Sequence, residues 1–189
     1  MALLHHATLT PTKKQLIDAW LPSQAWADGL PDPQELTVVG GYRHDDPDGE
    51  VGIEGIVLRV PEGGFVHVPL TYRAAPLDSA AEHLVGTMEH SALGTRWVYD
   101  AEADPVWRAT VTTTVLSGGS GAEEYFEVDG VRETREPLVA VSGSGGEVED
   151  PEPVVVHLVG SAPEGDAVLT GRWDGGEGVL VVLRSAASR

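Results

Sequence analysis

Cysteine is missing altogether from the 189 residues. That excludes disulfides, thiolate nucleophiles and cysteine-based zinc or iron–sulfur sites. Positive charge is scarce: 12 Lys and Arg face 30 Asp and Glu, a formal net charge of -18. Binding a nucleic-acid backbone needs a basic patch, so nucleic acid is not an expected partner. An anionic membrane surface repels such a chain for the same reason. A solvated acidic surface fits, as does a cationic partner. Long apolar runs are missing too, since Val154–Val156 and Val179–Leu183 fall far short of a membrane span. Met1–His6 has neither the basic start nor the apolar stretch of a signal peptide. These absences point to a cytoplasmic protein.

What is present argues for a folded core. Hydrophobic residues make up 41% of the chain and include five Trp, enough for one domain or one domain with a small annex. Thr10 and Pro11 have the N-cap and first-turn pattern of a helix carrying Leu16, Ile17, Trp20 and Leu21 at helical spacing, with Pro22 as its stop. Strands are predicted over 35–43, 50–60 and 65–72, and Val51, Ile53 and Val57 share a face of the second. Pro69 demotes the third to an edge, or marks a bulge. Residues 79–99 are ambiguous: Ser79 and Glu82 form a capping-box pattern, whereas 96–100 alternates like a strand. Two strands joined near 89–94 fit best. Asp104 and Pro105 open a second helix with Trp107, Val111 and Val115 on one face, although Thr112–Thr114 pulls toward strand.

After Gly121 the chain turns strand-rich. Asp129 and Gly130 signal a hairpin between 125–128 and 131–134. Further strands are predicted over 138–141, 154–159, 167–173 and 179–184, and the glycine- and serine-rich 142–146 followed by the acidic 147–152 reads as a linker. The pattern is α+β, two helices against a largely antiparallel sheet followed by β-rich sequence. It divides into 1–120 and a C-terminal segment 121–189 that packs on or extends the first part's sheet.

Three blocks carry a resemblance: Trp20–Trp26 (WLPSQAW), Val68–Arg73 (VPLTYR) and Leu84–Gly86 with Val98–Asp100. In this order they resemble the N-terminal cap of maltokinases over roughly residues 8–117. They are also similar to stand-alone cap-like proteins associated with α-glucan branching. The resemblance implies a cystatin-like fold, a helix cradled by an antiparallel sheet. It does not imply kinase activity. No His-Asp catalytic loop and no second metal-binding Asp motif follow the cap, so no catalytic residue has a position to land on.

The remaining chemical patterns are weak. His83 and His90 share a face only if their segment is helical, and surface or core histidines are the simpler reading. Asp45, Asp46, Asp48 and Glu50 lack the glycine position and terminal Glu of a calcium loop and read as a solvated turn. Gly118–Ala122 misses the last glycine of a nucleophile elbow. The aromatic set Trp20, Trp26, Tyr72, Trp97, Tyr99 and Trp107 is either core or a stacking surface, with Trp20 and Trp107 on apolar helix faces. Tyr72, Arg73, Trp97, Tyr99 and Asp100 are the candidate ligand- or partner-binding residues, with Arg73 also able to pair with Asp100. The leading expectation is a non-catalytic cap-like accessory module with no catalytic residue, metal site or cofactor; the alternatives are a carbohydrate-binding module or a small metal-dependent enzyme of unassigned reaction. The expected partners are another protein or a second copy of the chain, or alternatively a glycan.

Overall fold

Apolar stretches of the chain form strands that assemble into sheets, and two short helices cover part of what the sheets leave open. The computed structural model describes residues 2–3, 7–128 and 131–186, with backbone alone at 2–3, 126–128 and 131–133. In chain order the elements are β1 (Ala2–Leu3), β2 (Leu9–Thr10), α1 (Lys13–Trp20), β3 (Thr37–His44), β4 (Gly52–Arg59), β5 (Phe65–Arg73), β6 (Leu84–His90), β7 (Gly94–Asp100) and α2 (Pro105–Leu116). Then come β8 (Glu124–Val128), β9 (Val131–Arg135), β10 (Val139–Gly143), β11 (Pro151–Val155), β12 (Ala167–Trp173) and β13 (Gly176–Ser185). A six-stranded antiparallel sheet has the order β2-β6-β7-β5-β4-β3, and a four-stranded one the order β10-β12-β13-β11. A small third sheet pairs β1 in parallel with β8, and β8 with β9. The architecture is mixed α+β and dominated by antiparallel sheet.

Helix α1 starts two residues later than its sequence predicts. Thr12, not Thr10, is the N-cap: its hydroxyl accepts from the Gln15 N–H, while the Gln15 side chain accepts from the Thr12 N–H at 2.8 Å. Only the Thr12–Gln15 spacing offers this reciprocal pair. Pro22 does not end the run abruptly, since a 3₁₀ turn carries it through Leu21–Ser23. Helix α2 begins as expected, with the Asp104 carboxylate accepting from the Val106 N–H at 2.9 Å and Pro105 in the first turn. Its β-branched run is accommodated because Thr113 and Thr114 donate to the carbonyls of Ala109 and Thr110, four residues back.

Residues 84–100 form the expected pair β6 and β7, and the Ser79–Glu82 pattern yields only a 3₁₀ turn over Asp78–His83. Strands β8 and β9 pair antiparallel, while Asp129 and Gly130 lie outside the described residues. Residues 142–146 are not a linker. Ser142 and Gly143 belong to β10, and the Gly145 and Gly146 N–H groups cap the Val115 and Leu116 carbonyls at the end of α2. Gly143 lies so close to α2 that a Cβ there meets the Thr114 carbonyl at 2.3 Å. Glycine is therefore demanded by contact rather than by flexibility.

Strand β5 is central, not an edge. It pairs with β4 along one side, and along the other with residues 157–159 and then with β7. The His67 N–H donates to the His157 carbonyl, and Phe65 accepts from Val159. Odd-numbered residues therefore face that second side, and Pro69 falls between the two partners, where a donor is not needed.

Two buried clusters share the six-stranded sheet. On one face Leu16, Ile17 and Trp20 of α1 pack on Ile56, Leu58, Val66, Val68 and Leu70. On the other, Tyr42, Ile53 and Val57 pack with Trp107, Val111 and Val115 of α2 and with Val141, Leu169, Trp173 and Val181 of the four-stranded sheet. The second cluster is one continuous core drawn from both halves of the chain.

Candidate functional site

The α1 face of the six-stranded sheet is only partly covered. A helix of eight residues is about 12 Å long, and beyond its first turn the sheet lies open. A cleft of about 830 Å³ occupies the opening. Lys13 from α1, Arg43 from β3, Tyr72 from β5 and Arg96 from β7 line it, and Arg135 approaches from β9. Leu9, Met88 and Leu93 supply an apolar wall.

Its floor is organised around the Glu54 carboxylate. Lys13 donates to Glu54 at 2.5 Å, the Tyr72 hydroxyl donates at 2.9 Å, and Arg43 Nη2 stands 3.8 Å away. The Lys13 ammonium also sits 5.5 Å from the centre of the Tyr72 ring. Burial pushes the Glu54 carboxyl up, but Lys13, Arg43 and the two hydrogen bonds outweigh it and hold the group below the usual carboxylate range. Burial, reinforced by the neighbouring Glu54 charge, raises Tyr72 well above an ordinary phenol. Glu124, buried at the start of β8, is pushed up by desolvation against the pull of Arg43 and Arg135. The group is thus two enclosed carboxylates among three cations, with one carboxylate firmly ionised.

The rim is mixed in charge. Arg96 donates to the Leu93 carbonyl at 2.8 Å, and His90 Nδ1 accepts from the N–H groups of Ala92 and Leu93. Asp45, Asp46 and Glu50 border the other side. The Asp46 oxygens accept from the N–H groups of Asp48, Glu50 and Val51, so this acidic segment is a side-chain-capped turn, as its glycine and aspartates suggest. Among the described residues no group of three or more His, Asp or Glu is placed to hold a metal ion.

Of the five residues that the sequence singles out, only Tyr72 lies in this cleft. Neighbours in a strand point to opposite faces, and the register sets Arg73 beside Trp97 and Thr71 beside Tyr99 on the far face. Arg73 does not pair with Asp100. Its guanidinium makes two 2.7 Å bonds to Asp104, which is fully buried and also caps α2. Tyr99 is buried, and its hydroxyl accepts from the Leu77 N–H at 2.7 Å. Trp97 is half-buried. Asp100 accepts from the Glu102 N–H, and burial pushes its carboxyl up to about 6. The five therefore do not form one surface. Sequence reasoning passed over Lys13, Arg43, Glu54, Arg96 and Arg135. The signal that points to them is scarcity, for four of the chain's 12 Lys and Arg line one cleft.

Several of the remaining aromatics and histidines lie in the interior. Trp20 is buried, edge-on to Trp26 at 6.0 Å, and Trp26 stacks on the His157 ring at 3.9 Å. His83 ends a 3₁₀ turn and His90 ends β6, so the two share no helix face. The Tyr42 hydroxyl meets His67 Nε2 at 3.0 Å, with both residues fully enclosed. Burial pushes His67 down to about 3. The imidazole is neutral, and its contact with the phenol is a structural hydrogen bond whose direction follows the imidazole tautomer.

The model of the Maltokinase N-terminal cap domain matches residues 20–104, from the end of α1 to the N-cap of α2. The matched stretch holds Arg43, Glu54, Tyr72 and Arg96, while Lys13 and Arg135 lie outside it. No curated protein matches the chain. Over residues 20–104, a little under half of its length, the chain is therefore similar to the maltokinase N-terminal cap domain.

Proposed function

We propose that the protein is a non-catalytic, cap-like accessory module of α-glucan, trehalose or maltose metabolism. Its cap part is of the cystatin-like type, and it acts by binding another protein or a second copy of itself. The observation that supports this reading is the cap match over residues 20–104. The state of the ionisable groups agrees with it: Glu54 is ion-paired, Asp104 is held by Arg73, and His67 is enclosed, so none of them is poised as a free general base. The test has two arms. Purified protein given ATP and maltose is expected to show no maltose-dependent ADP release; turnover abolished by Glu54→Gln overturns the non-catalytic reading. Affinity capture from the native host is expected to return an enzyme of α-glucan or trehalose metabolism, or the chain itself. Capture of neither overturns the accessory role.

A carbohydrate-binding reading keeps one observation in its favour, the half-buried Tyr72 ring among polar groups in the cleft. Trp97, on the other face, cannot join it in one stacking platform. Saturable heat on titrating maltose, lost in Tyr72→Ala, would favour this reading.

A further inference from the structure

We infer that the cleft beside α1 binds a small organic oxyanion, a phosphate ester or a carboxylate, held by Lys13, Arg43, Arg96 and Arg135. The chain carries 30 acids and only 12 Lys and Arg, so any cation on it has a surplus of acidic partners. Four of those 12 nevertheless line one cleft. Arg96 and Arg135 form no ion pair with a carboxylate of the described residues. Lys13 and Arg43 share one ion-pair partner, Glu54, and the second enclosed carboxylate, Glu124, acts on Arg43 and Arg135 without an ion pair among the described residues. Of the three turn acids that line the cleft, Asp45, Asp46 and Glu50, Asp46 has its oxygens committed to three backbone N–H groups.

Low-dielectric walls concentrate the field of such a group inside the cleft. Guanidinium forks match the paired oxygens of phosphate and carboxylate. The apolar wall of Leu9, Met88 and Leu93 and the ring of Tyr72 suit the carbon body of an organic anion better than a bare ion. A volume of about 830 Å³ admits a metabolite-sized molecule. Two of the four cations, Lys13 and Arg135, come from outside the matched cap stretch, so the segments flanking the cap complete the site.

The experiment is an amide chemical-shift titration of the full chain with glycerol 3-phosphate, succinate, glycerol and maltose. Saturable shifts clustered at Glu54, Tyr72 and Arg96 are expected with one or both anions and not with glycerol. Arg96→Gln and Arg135→Gln are each expected to weaken binding about 10-fold, the loss of roughly one charged contact, at an unchanged melting temperature. Arg184→Gln, far along the sequence on β13, is expected to leave it unaltered. A tighter fit for glycerol 3-phosphate identifies a phosphate ester as the ligand class, and a tighter fit for succinate a carboxylate. The proposal is overturned if neither anion shifts the cleft amides, or if binding survives both arginine substitutions. It is equally overturned if maltose moves these amides while both anions leave them still, a result that does not touch the accessory reading above.

Discussion

The two faces of the six-stranded sheet are finished differently. The face toward α2 is roofed by the helix and the four-stranded sheet, and two polar pairs close within it. Tyr42 meets His67, and Arg73 meets Asp104. The face toward α1 is roofed by eight residues only. Where that roof stops, the same sheet presents Arg43, Tyr72 and Arg96 to a cleft, with Glu54 ion-paired beneath them. On the α1 face apolar residues lie under the helix, and ionisable ones appear at the uncovered end. Cover, rather than strand pattern, separates scaffold from site.

Deleting the roof of the α2 face is expected to have the largest effect. A fragment of residues 1–120 leaves Tyr42, Ile53, Val57 and Trp107 without Val141, Leu169 and Val181 against them. It is expected to lose cooperative unfolding, measured by calorimetry or circular dichroism. A fragment melting at the full-length temperature would show that the two faces are independent.

Single substitutions come next. Trp107→Ala is expected to cost about 4 kcal/mol, because the indole is enclosed in the continuous core. Trp20→Ala, at the margin of the partly roofed face, is expected to cost about 3 kcal/mol. Equal losses in denaturant titrations would erase the contrast. Arg73→Ala strands the buried Asp104 carboxylate and is expected to cost about 3–5 kcal/mol. Much of that should be restored by adding Asp104→Asn, which keeps the cap acceptor without the charge.

Acid also strikes chiefly at the interior of the roofed face. Burial holds His44 and His157 down at about 4 and His67 at about 3. Unfolding returns each to about 6.5, so the unfolded chain takes up three protons that the folded chain refuses. This stabilisation is complete above pH 6.5 and is lost as pH falls toward 4. Asp100, raised to about 6, works in the opposite sense over part of the window and favours the folded state as it protonates. The net is about two protons, or roughly 3 kcal/mol of stability lost per pH unit near pH 5. Denaturant midpoints at pH 7, 6 and 5 measure it, and a flat profile would mean that these histidines are solvated.

The smallest effect is expected at the cleft. Arg96→Gln should change stability by no more than about 0.5 kcal/mol. A loss several times larger would make the cleft part of the scaffold and remove its distinction from the opposite face.

Local pattern made much of the fold readable. Trp107, Val111 and Val115 announce the buried stripe of α2, alternation announces β12, and apolar runs announce β4, β5 and β13. Two-residue strands such as β2 carry no period to read, and a 3₁₀ turn shares its capping residues with an α-helix, which is why 78–83 misled. The glycines of 142–146 read as looseness because their reason, contact with α2, comes from a segment some thirty residues away. The site was legible least of all. Tyr72 and Arg73 are adjacent in sequence and therefore opposite in the sheet, so a block of conspicuous residues does not make a surface. The residues that do make one, Lys13, Arg43, Glu54, Arg96 and Arg135, are gathered by strand order, which no local pattern encodes.

Pro69 marks a frontier on β5. Behind it, residues 65–67 are hydrogen-bonded to 157–159; ahead of it, 70–73 are zipped to β7. Neither neighbour can creep along the shared strand, because the next rung in each direction lacks its donor. One imino acid thus keeps two rival ladders apart on a common rail. The register of the six-stranded sheet and the docking of the later chain are thereby fixed at the same point. Replacing it by alanine would restore the rung and open the rail to slippage.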